Sequence, residues 1–512
     1  MRRITWNFGW LALWAAVLCL RVGAATAACE SLASLKLPDT TITAVQAVEA
    51  GAFTVNPNAA MPPQMARNLN FKDLPAFCRV AATIRPSSDS DIKIEVWLPA
   101  AGWNGKFQAV GNGGWSGSIV YPSLARALAH GYATASTDTG HPGGSGSFAL
   151  GHPEKLIDFG YRAVHEMTVK AKAVIKAYYS EAPKYSYWNG CSSGGKQGLK
   201  EAQRFPADYD GIVAGAPANY WTHLMTGELW IAQAAHKDEA SYIPASKYPM
   251  IHHAVLEACD ALDGVKDGVL EDPTRCHFDP QTIECKGADT ANCLTPAQVE
   301  TARKIYTPAT NPRTRKEIFP PMEPGSELLW AGLAGERPFS IPVDHYRFVV
   351  FKDPEWDWQK LNFDADVALA DKTDKDTINA TDPDLKQFLG HGGKLLLYHG
   401  WNDQLIAPLN SVNYYNSVLE KMGRKKVADS VRLFMVPGMG HCSGGEGTSN
   451  FDHMQVIEQW VEQGKTPEQI PASRADRGKV DRRRPLCPYP QVARYKGSGS
   501  TDEAENFVCG RM

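Results

Sequence analysis

The sequence predicts an α/β protein with a mostly parallel sheet and one large insertion. Short apolar segments that read as strands each run into a polar, glycine-rich loop, and helical patterns follow several of them. From about residue 220 to 385 that alternation stops, in a stretch rich in Trp, Pro, Asp and Cys. The 512-residue length exceeds one typical core. At 43% hydrophobic and 21% charged residues, the chain can bury a core and is not disordered. Near balance of 53 Lys+Arg against 56 Asp+Glu leaves no basic footprint, so nucleic acid is not an expected partner.

Each element has its own signal. Asp91–Leu98 alternates polar and apolar residues, which predicts a half-buried strand. Lys106–Val110 runs into Gly111-Asn-Gly-Gly-Trp115, and Tyr132–Ser136 runs into Thr137-Asp-Thr-Gly-His141. Ala163–Tyr179 has helical spacing, and Tyr185–Trp188 then enters Asn189-Gly-Cys-Ser-Ser-Gly-Gly195. Lys394–Tyr398 and Val431–Met435 are short apolar strands, and Phe451–Gln463 is an amphipathic helix. Such a sheet carries its chemistry in the loops at the carboxyl ends of its strands. The expected domains are a signal peptide over 1–27, a catalytic domain from 28–219 and 386–512, and a lid over 220–385.

Arg2 and Arg3 precede an apolar run from Phe8 to Leu20, and Ala25-Thr26-Ala27 offers a small-x-small cleavage site. The run is too short to span a bilayer, so no membrane association is expected. Its removal takes three arginines and no acid, moving the net charge from −3 to −6. Cys19 leaves with it, and ten of eleven cysteines remain, enough for five disulfides in an oxidising compartment.

Gly190-Cys-Ser-Ser-Gly194 fits G-x-S-x-G between a strand and a helix, with Ser192 at its centre. A sharp turn there exposes the serine oxygen, and the N–H of Ser193 lies near a helix N-terminus, where it can stabilise an oxyanion. A serine nucleophile needs a base and an orienting carboxylate, which follow in the order Asp, His in loops after later strands. Tyr398-His-Gly-Trp-Asn-Asp403 supplies Asp403, and Val436-Pro-Gly-Met-Gly-His441 supplies His441. Cys191 directly precedes the serine and Cys442 directly follows the histidine, so a disulfide between them would tie nucleophile to base. A second constellation, Cys259 to Val269, carries Asp260, Asp263 and Asp267 with Gly264 and Gly268. These are hard oxygen ligands, but not at EF-hand spacing, and a solvated acidic turn is the competing interpretation.

The Gly-Asn-Gly-Gly loop, Gly-Cys-Ser-Ser-Gly-Gly, Gly-Trp-Asn-Asp and Pro-Gly-Met-Gly-His-Cys together resemble the tannase/feruloyl esterase family, which also includes the enzyme that hydrolyses mono(2-hydroxyethyl) terephthalate. The resemblance covers nearly the whole mature chain. It implies an α/β-hydrolase fold with a large inserted lid domain, a Ser192–His441–Asp403 triad and an oxyanion hole of Ser193 with Gly113 or Gly114. It also implies the disulfides Cys191–Cys442, Cys29–Cys78, Cys259–Cys276, Cys285–Cys293 and Cys487–Cys509. A structural Ca2+ held by Asp260, Asp263, Asp267 and the carbonyls of Val265 and Val269 is implied as well. The expected protein is thus a secreted or periplasmic serine carboxylesterase acting on small aromatic esters, free or attached to plant polymer. Terephthalate monoester hydrolysis, acyl transfer and non-catalytic binding on the same fold are the alternatives. Trp221, Trp230, Trp330, Trp356 and Trp358 are candidates for the acyl pocket or for the core of the lid.

Overall fold

The structure, a computed structural model, describes residues 28–55, 71–115 and 117–512; the signal peptide expected over 1–27 lies outside the described residues. Two compact units emerge, one drawn from residues up to Val110, Gly117–Pro142 and Ala163–Ser186, the other from Gly111–Ser116, Gly143–Arg162 and Tyr187–Met512.

The first unit holds strands β1 (Thr40–Val48), β2 (Phe77–Ile84), β3 (Ile92–Pro99), β4 (Lys106–Val110) and β5 (Ala133–Thr137), in the order β1-β2-β3-β5-β4. β1 to β3 and β5 pair antiparallel, and β4 with β5 is parallel. β3 is not the half-buried strand its alternation predicts: it is buried along almost its whole length. Glu95 accounts for the difference, because its carboxylate accepts hydrogen bonds from Arg79 Nε (2.8 Å), Trp97 Nε1 (2.9 Å) and the Tyr121 hydroxyl (2.9 Å). A buried charge so satisfied is tolerated. Helix α1 (Tyr121–Ala129) buries Leu124 and Leu128 with Phe77 and Trp97, and α2 (Ala163–Tyr179) buries the stripe Val164, Met167, Ala171, Val174 and Ile175 that its spacing predicts.

In the second unit β6 (Tyr185–Cys191), β7 (Gly211–Gly215), β10 (Lys394–Gly400) and β11 (Val431–Val436) are neighbours in that order and all parallel. Helix α3 (Ser193–Arg204) joins β6 to β7, a strand whose five-residue apolar run was too short to stand out in the sequence. The insertion lies between β7 and β10. It contains α4 (Trp221–Ala235), α5 (Tyr248–Cys259), α6 (Pro296–Ile305) and the hairpin of β8 (Ala309–Thr310) with β9 (Glu317–Phe319). Its core includes Trp221, Leu229, Ile251, Val299, Phe319, Trp330 and Tyr346. After β10 come α7 (Leu409–Met422) and, after β11, α8 (His453–Gln463). The chain closes with the paired strands β12 (Ile470–Asp476) and β13 (Lys479–Leu486), then β14 (Val492–Tyr495) and β15 (Phe507–Gly510). All five implied disulfides are present, with partners up to 251 residues apart. Among the described residues no helix is long and apolar enough to cross a membrane.

Candidate active site

β6 ends in the turn that carries Ser192. Its backbone sits at φ 63°, ψ −124°, a strained conformation for a residue with a side chain. Three hydrogen bonds hold it there: Ser192 N–H donates to Gly215 O (2.9 Å), and Ser192 O accepts from the N–H groups of Lys196 (3.0 Å) and Ala218 (3.1 Å). Gly190 is glycine because a Cβ there would lie 2.4 Å from Gly194 O, inside contact distance as the chain doubles back. Ser193 opens α3, so its N–H has no intrahelical acceptor, and its hydroxyl donates to Gly114 O (3.0 Å).

The loops after β10 and β11 supply the other two residues. They are stitched together by Trp401 N–H to Val436 O and Asn402 N–H to Met439 O, both 2.9 Å. A Cβ on Gly400 would lie 2.2 Å from Met439 O, so this close approach requires glycine. Fully buried Asp403 accepts through Oδ1 from the N–H groups of Leu405 and Ile406 (2.9 Å each). Its Oδ2 meets His441 Nδ1 at 2.8 Å and His399 Nε2 at 3.0 Å. Burial alone would raise the Asp403 carboxyl; the charge of His441 and hydrogen bonds from both imidazoles reverse that and hold it well below the usual carboxylate range. For His441 the order of effects is the same with opposite sign. Burial pulls its pKa down, the Asp403 charge and hydrogen bond push it up, and the net is above its ordinary 6.5.

His399 was not singled out in the sequence, although it lies in the same Tyr-His-Gly-Trp-Asn-Asp run. Buried and bonded to Ser411 Oγ (2.7 Å) and Ile406 O (3.0 Å), it holds the same Asp403 Oδ2 that meets His441.

Ser192, Ser193, His441, Gly113, Gly114, Cys191 and Cys442 line one cavity of about 320 Å³. The structure thus brings together every residue that the sequence nominated for the triad's open face and the oxyanion hole, with Asp403 behind His441. The other walls are mainly apolar: Trp221, Leu224, Met225, Phe339, Ile341, Leu405 and Ile406. Of the five tryptophans considered for an acyl pocket, Trp221 alone lines this cavity. Its Nε1 donates to His345 Nδ1 (3.2 Å), and burial pulls that imidazole down to about 3, keeping it a neutral acceptor. Trp330 packs on Tyr306, Trp356 on Tyr346 and Phe351, Trp358 on His236, and Trp230 on Phe363; these four serve packing elsewhere.

The acidic loop follows α5 and wraps through Gly264 (φ 88°) and Gly268 (φ 80°). Asp263, Val265, Asp267 and Val269 line one small cavity together with Glu271, Arg482 and Arg484. Asp260 does not line it; its carboxylate closes the loop by accepting the Gly268 N–H at 3.1 and 3.2 Å. Asp267 Oδ2 is engaged by Arg484, while its Oδ1 accepts from Val269 N–H at 3.2 Å. Asp263, Asp267 and Glu271 there face two arginines, Arg482 and Arg484, and burial raises Asp263 to about 6 and Glu271 to about 8. Carboxylate and carbonyl oxygens without sulfur or imidazole suit a hard divalent ion.

A serine on a strained strand-to-helix turn, a His–Asp pair in the loops after two later parallel strands and an apolar cavity define an esterase of the α/β-hydrolase class. The comparisons bear this out. Residues 78–510 match the family described as Tannase and feruloyl esterase. A relative named as an uncharacterized esterase of Xanthomonas campestris pv. campestris is 40% identical over 541 residues, covering 96% of this chain and 92% of that one. A probable feruloyl esterase B-2 of Neosartorya fischeri is 36% identical, covering 98% of both chains. The crystal structure of feruloyl esterase B from Aspergillus oryzae superposes with a TM-score of 0.89 at 32% identity, covering 95% of this chain and 100% of that one. Tannin acyl hydrolase from Aspergillus niger shares the fold, with a TM-score of 0.78 at 22% identity over 95% of each chain. The chain belongs to the tannase and feruloyl esterase family and is a carboxylic ester hydrolase.

Proposed function

We propose that this protein is an exported serine esterase that cleaves esters of aromatic carboxylic acids through Ser192, His441 and Asp403. The observation that carries the proposal is the shared cavity: Ser192 and His441 both face it, and His441 is paired through Nδ1 to buried Asp403. His441 Nε2 takes the Ser192 proton as Oγ bonds to the acyl carbon, and Asp403 stabilises the imidazolium that forms. The N–H groups of Ser193 and of Gly113 or Gly114 stabilise the oxyanion. His441 then protonates the departing alcohol, the acyl-enzyme ester remains on Ser192, and a water activated by His441 releases the acid. The flat apolar walls suit an aromatic acyl group. The five disulfides support export, since such bonds persist in oxidising compartments. A panel of methyl ferulate, methyl gallate and mono(2-hydroxyethyl) terephthalate tests the substrate class; failure to turn over any aromatic ester would overturn it.

The raised pKa of His441 sets the pH dependence. The base must be neutral, so kcat/KM rises with pH through a midpoint above 6.5, and Asp403→Asn, which removes the charge that raises it, shifts that midpoint down. The same linkage means that the His441–Asp403 interaction stabilises the fold most between the ordinary values of its two groups, 3.8 and 6.5; it is lost as pH rises through the raised His441 value and declines as pH falls below 3.8 toward the depressed Asp403 value. A midpoint at or below that of free imidazole would refute the coupling.

The acidic loop is proposed to hold a structural Ca2+ through Asp260, Asp263, Asp267 and the carbonyls of Val265 and Val269, with Asp260 also closing the loop onto Gly268. Bound only by the native state, the ion adds stability by mass action. EDTA is therefore expected to lower the melting temperature more than it lowers kcat of enzyme that is still folded. An unchanged melting curve, with no calcium found by elemental analysis, removes the site.

A further inference from the structure

α4 presents Trp221, Leu224, Met225 and Glu228 to the catalytic cavity, at positions i, i+3, i+4 and i+7 of one helical face. Three of the four are apolar, as a ring-binding wall requires. The fourth is a carboxylic acid, only 3% exposed, whose Oε2 is buried with no hydrogen-bond partner among the described residues. A buried polar atom left unsatisfied is costly, and native proteins keep few of them, mostly where function uses them. Packing does not account for an acid here, because leucine or methionine would continue the stripe. Triad chemistry does not account for it either, since Ser192, His441 and Asp403 already fill the three roles.

We infer that Glu228 is a specificity residue, whose carboxyl exchanges hydrogen bonds with a hydroxyl group on the aromatic ring of the acyl moiety. The inference rests on the esterase function proposed above and names its substrate class: esters of hydroxylated aromatic acids. Burial, reinforced by the nearby Asp403 charge, pushes the Glu228 carboxyl well above its ordinary range and so favours its neutral form. A neutral carboxyl both donates and accepts, which matches a phenol, itself a donor and an acceptor. A ring bearing an anionic carboxylate fits poorly. Its charge would enter an apolar cavity whose lining, among the described residues, contains neither lysine nor arginine, with the Asp403 charge acting on Glu228 nearby. The cavity therefore favours hydroxycinnamoyl or hydroxybenzoyl esters over terephthalate monoesters.

The test compares kcat/KM for methyl 4-hydroxycinnamate and methyl cinnamate, which differ only in the ring hydroxyl, in the full-length wild type and in Glu228 variants. Taking the ratio within each variant cancels losses common to both esters, including any general weakening of the site. The wild type is expected to favour the hydroxylated ester by at least about tenfold, because a site built to bond a hydroxyl leaves its own polar group unpaired with the analogue. Glu228→Leu should bring the ratio within about twofold of unity. Glu228→Gln, whose amide also donates and accepts, should keep most of the preference. Should the leucine variant not fold, Glu228→Met fills a similar volume and carries the same expectation. An unchanged ratio in the leucine or methionine variant overturns the inference, as does a glutamine variant that loses the preference just as completely. Hydrolysis of neither ester by the wild type would instead strike the esterase reading itself, and this inference with it.

Discussion

Ser192→Ala is expected to lower kcat/KM for aromatic esters by at least about 10³-fold, equivalent to roughly 4 kcal/mol of transition-state stabilisation. In the proposed mechanism the Ser192 oxygen is the atom that becomes covalently bonded, and neither neighbour can replace it. Cys191 is consumed in a disulfide, and the Ser193 hydroxyl is engaged by Gly114 O. Alanine retains the Cβ of serine, so the strained φ of 63° and the three backbone hydrogen bonds around it are unaffected, and the melting temperature should change little. His441→Ala should cost a comparable factor, and the double variant little more, because members of a triad act as a unit. Retention of more than a tenth of wild-type activity by folded Ser192→Ala would sink the assignment.

Replacing both Cys191 and Cys442 by alanine should reduce kcat on the order of 100-fold in protein that remains folded. The bridge joins the residue before Ser192 to the residue after His441, with a Cα–Cα separation of 6.0 Å. Ser192 and His441 sit on separate loops, and a displacement of about 1 Å between reacting groups can cost on the order of 100-fold. Closing a loop of 251 residues also disfavours the unfolded chain, by roughly 5 kcal/mol as an upper bound. The kinetic loss should therefore be accompanied by a lower melting temperature. Single replacements should give poorer yields, since the orphan thiol can mispair with the other eight cysteines of the mature chain. Wild-type kcat in the folded double variant would show that the loops hold their geometry without the bond.

Much of this site was legible before any coordinates. Ser192, Asp403 and His441 announce themselves because each stands in a short motif directly after an apolar strand, and both the strand and the turn are local properties of the chain. Cys191 and Cys442 could be paired by their adjacency to those motifs. The helix over Ala163–Tyr179 was visible because its apolar period alone determines its buried face. The acidic loop was visible as composition, but not in the contacts of its members: Asp260 accepts the Gly268 N–H, and Asp267 meets Arg484, 217 residues further along.

Other features exist only in three dimensions. Glu95 sits on a strand that its alternating pattern marks as half exposed, and it is buried because Arg79 on the neighbouring strand and Tyr121 on a later helix satisfy it. His399 acts through Asp403 only once the turn after β10 folds back on itself. Five tryptophans were equal candidates for a ring-binding wall, and packing within the insertion turned one of them toward the catalytic cavity. The sequence by itself determined the α/β class and nominated Ser192, His441 and Asp403 as candidate nucleophile, base and orienting carboxylate, because these are written in local periodicity and short motifs; the full set of cysteine pairs came from the family resemblance. Tertiary structure alone decided which side chains line the candidate cavity and which buried charges find partners, because those outcomes depend on contacts between segments that no local pattern relates.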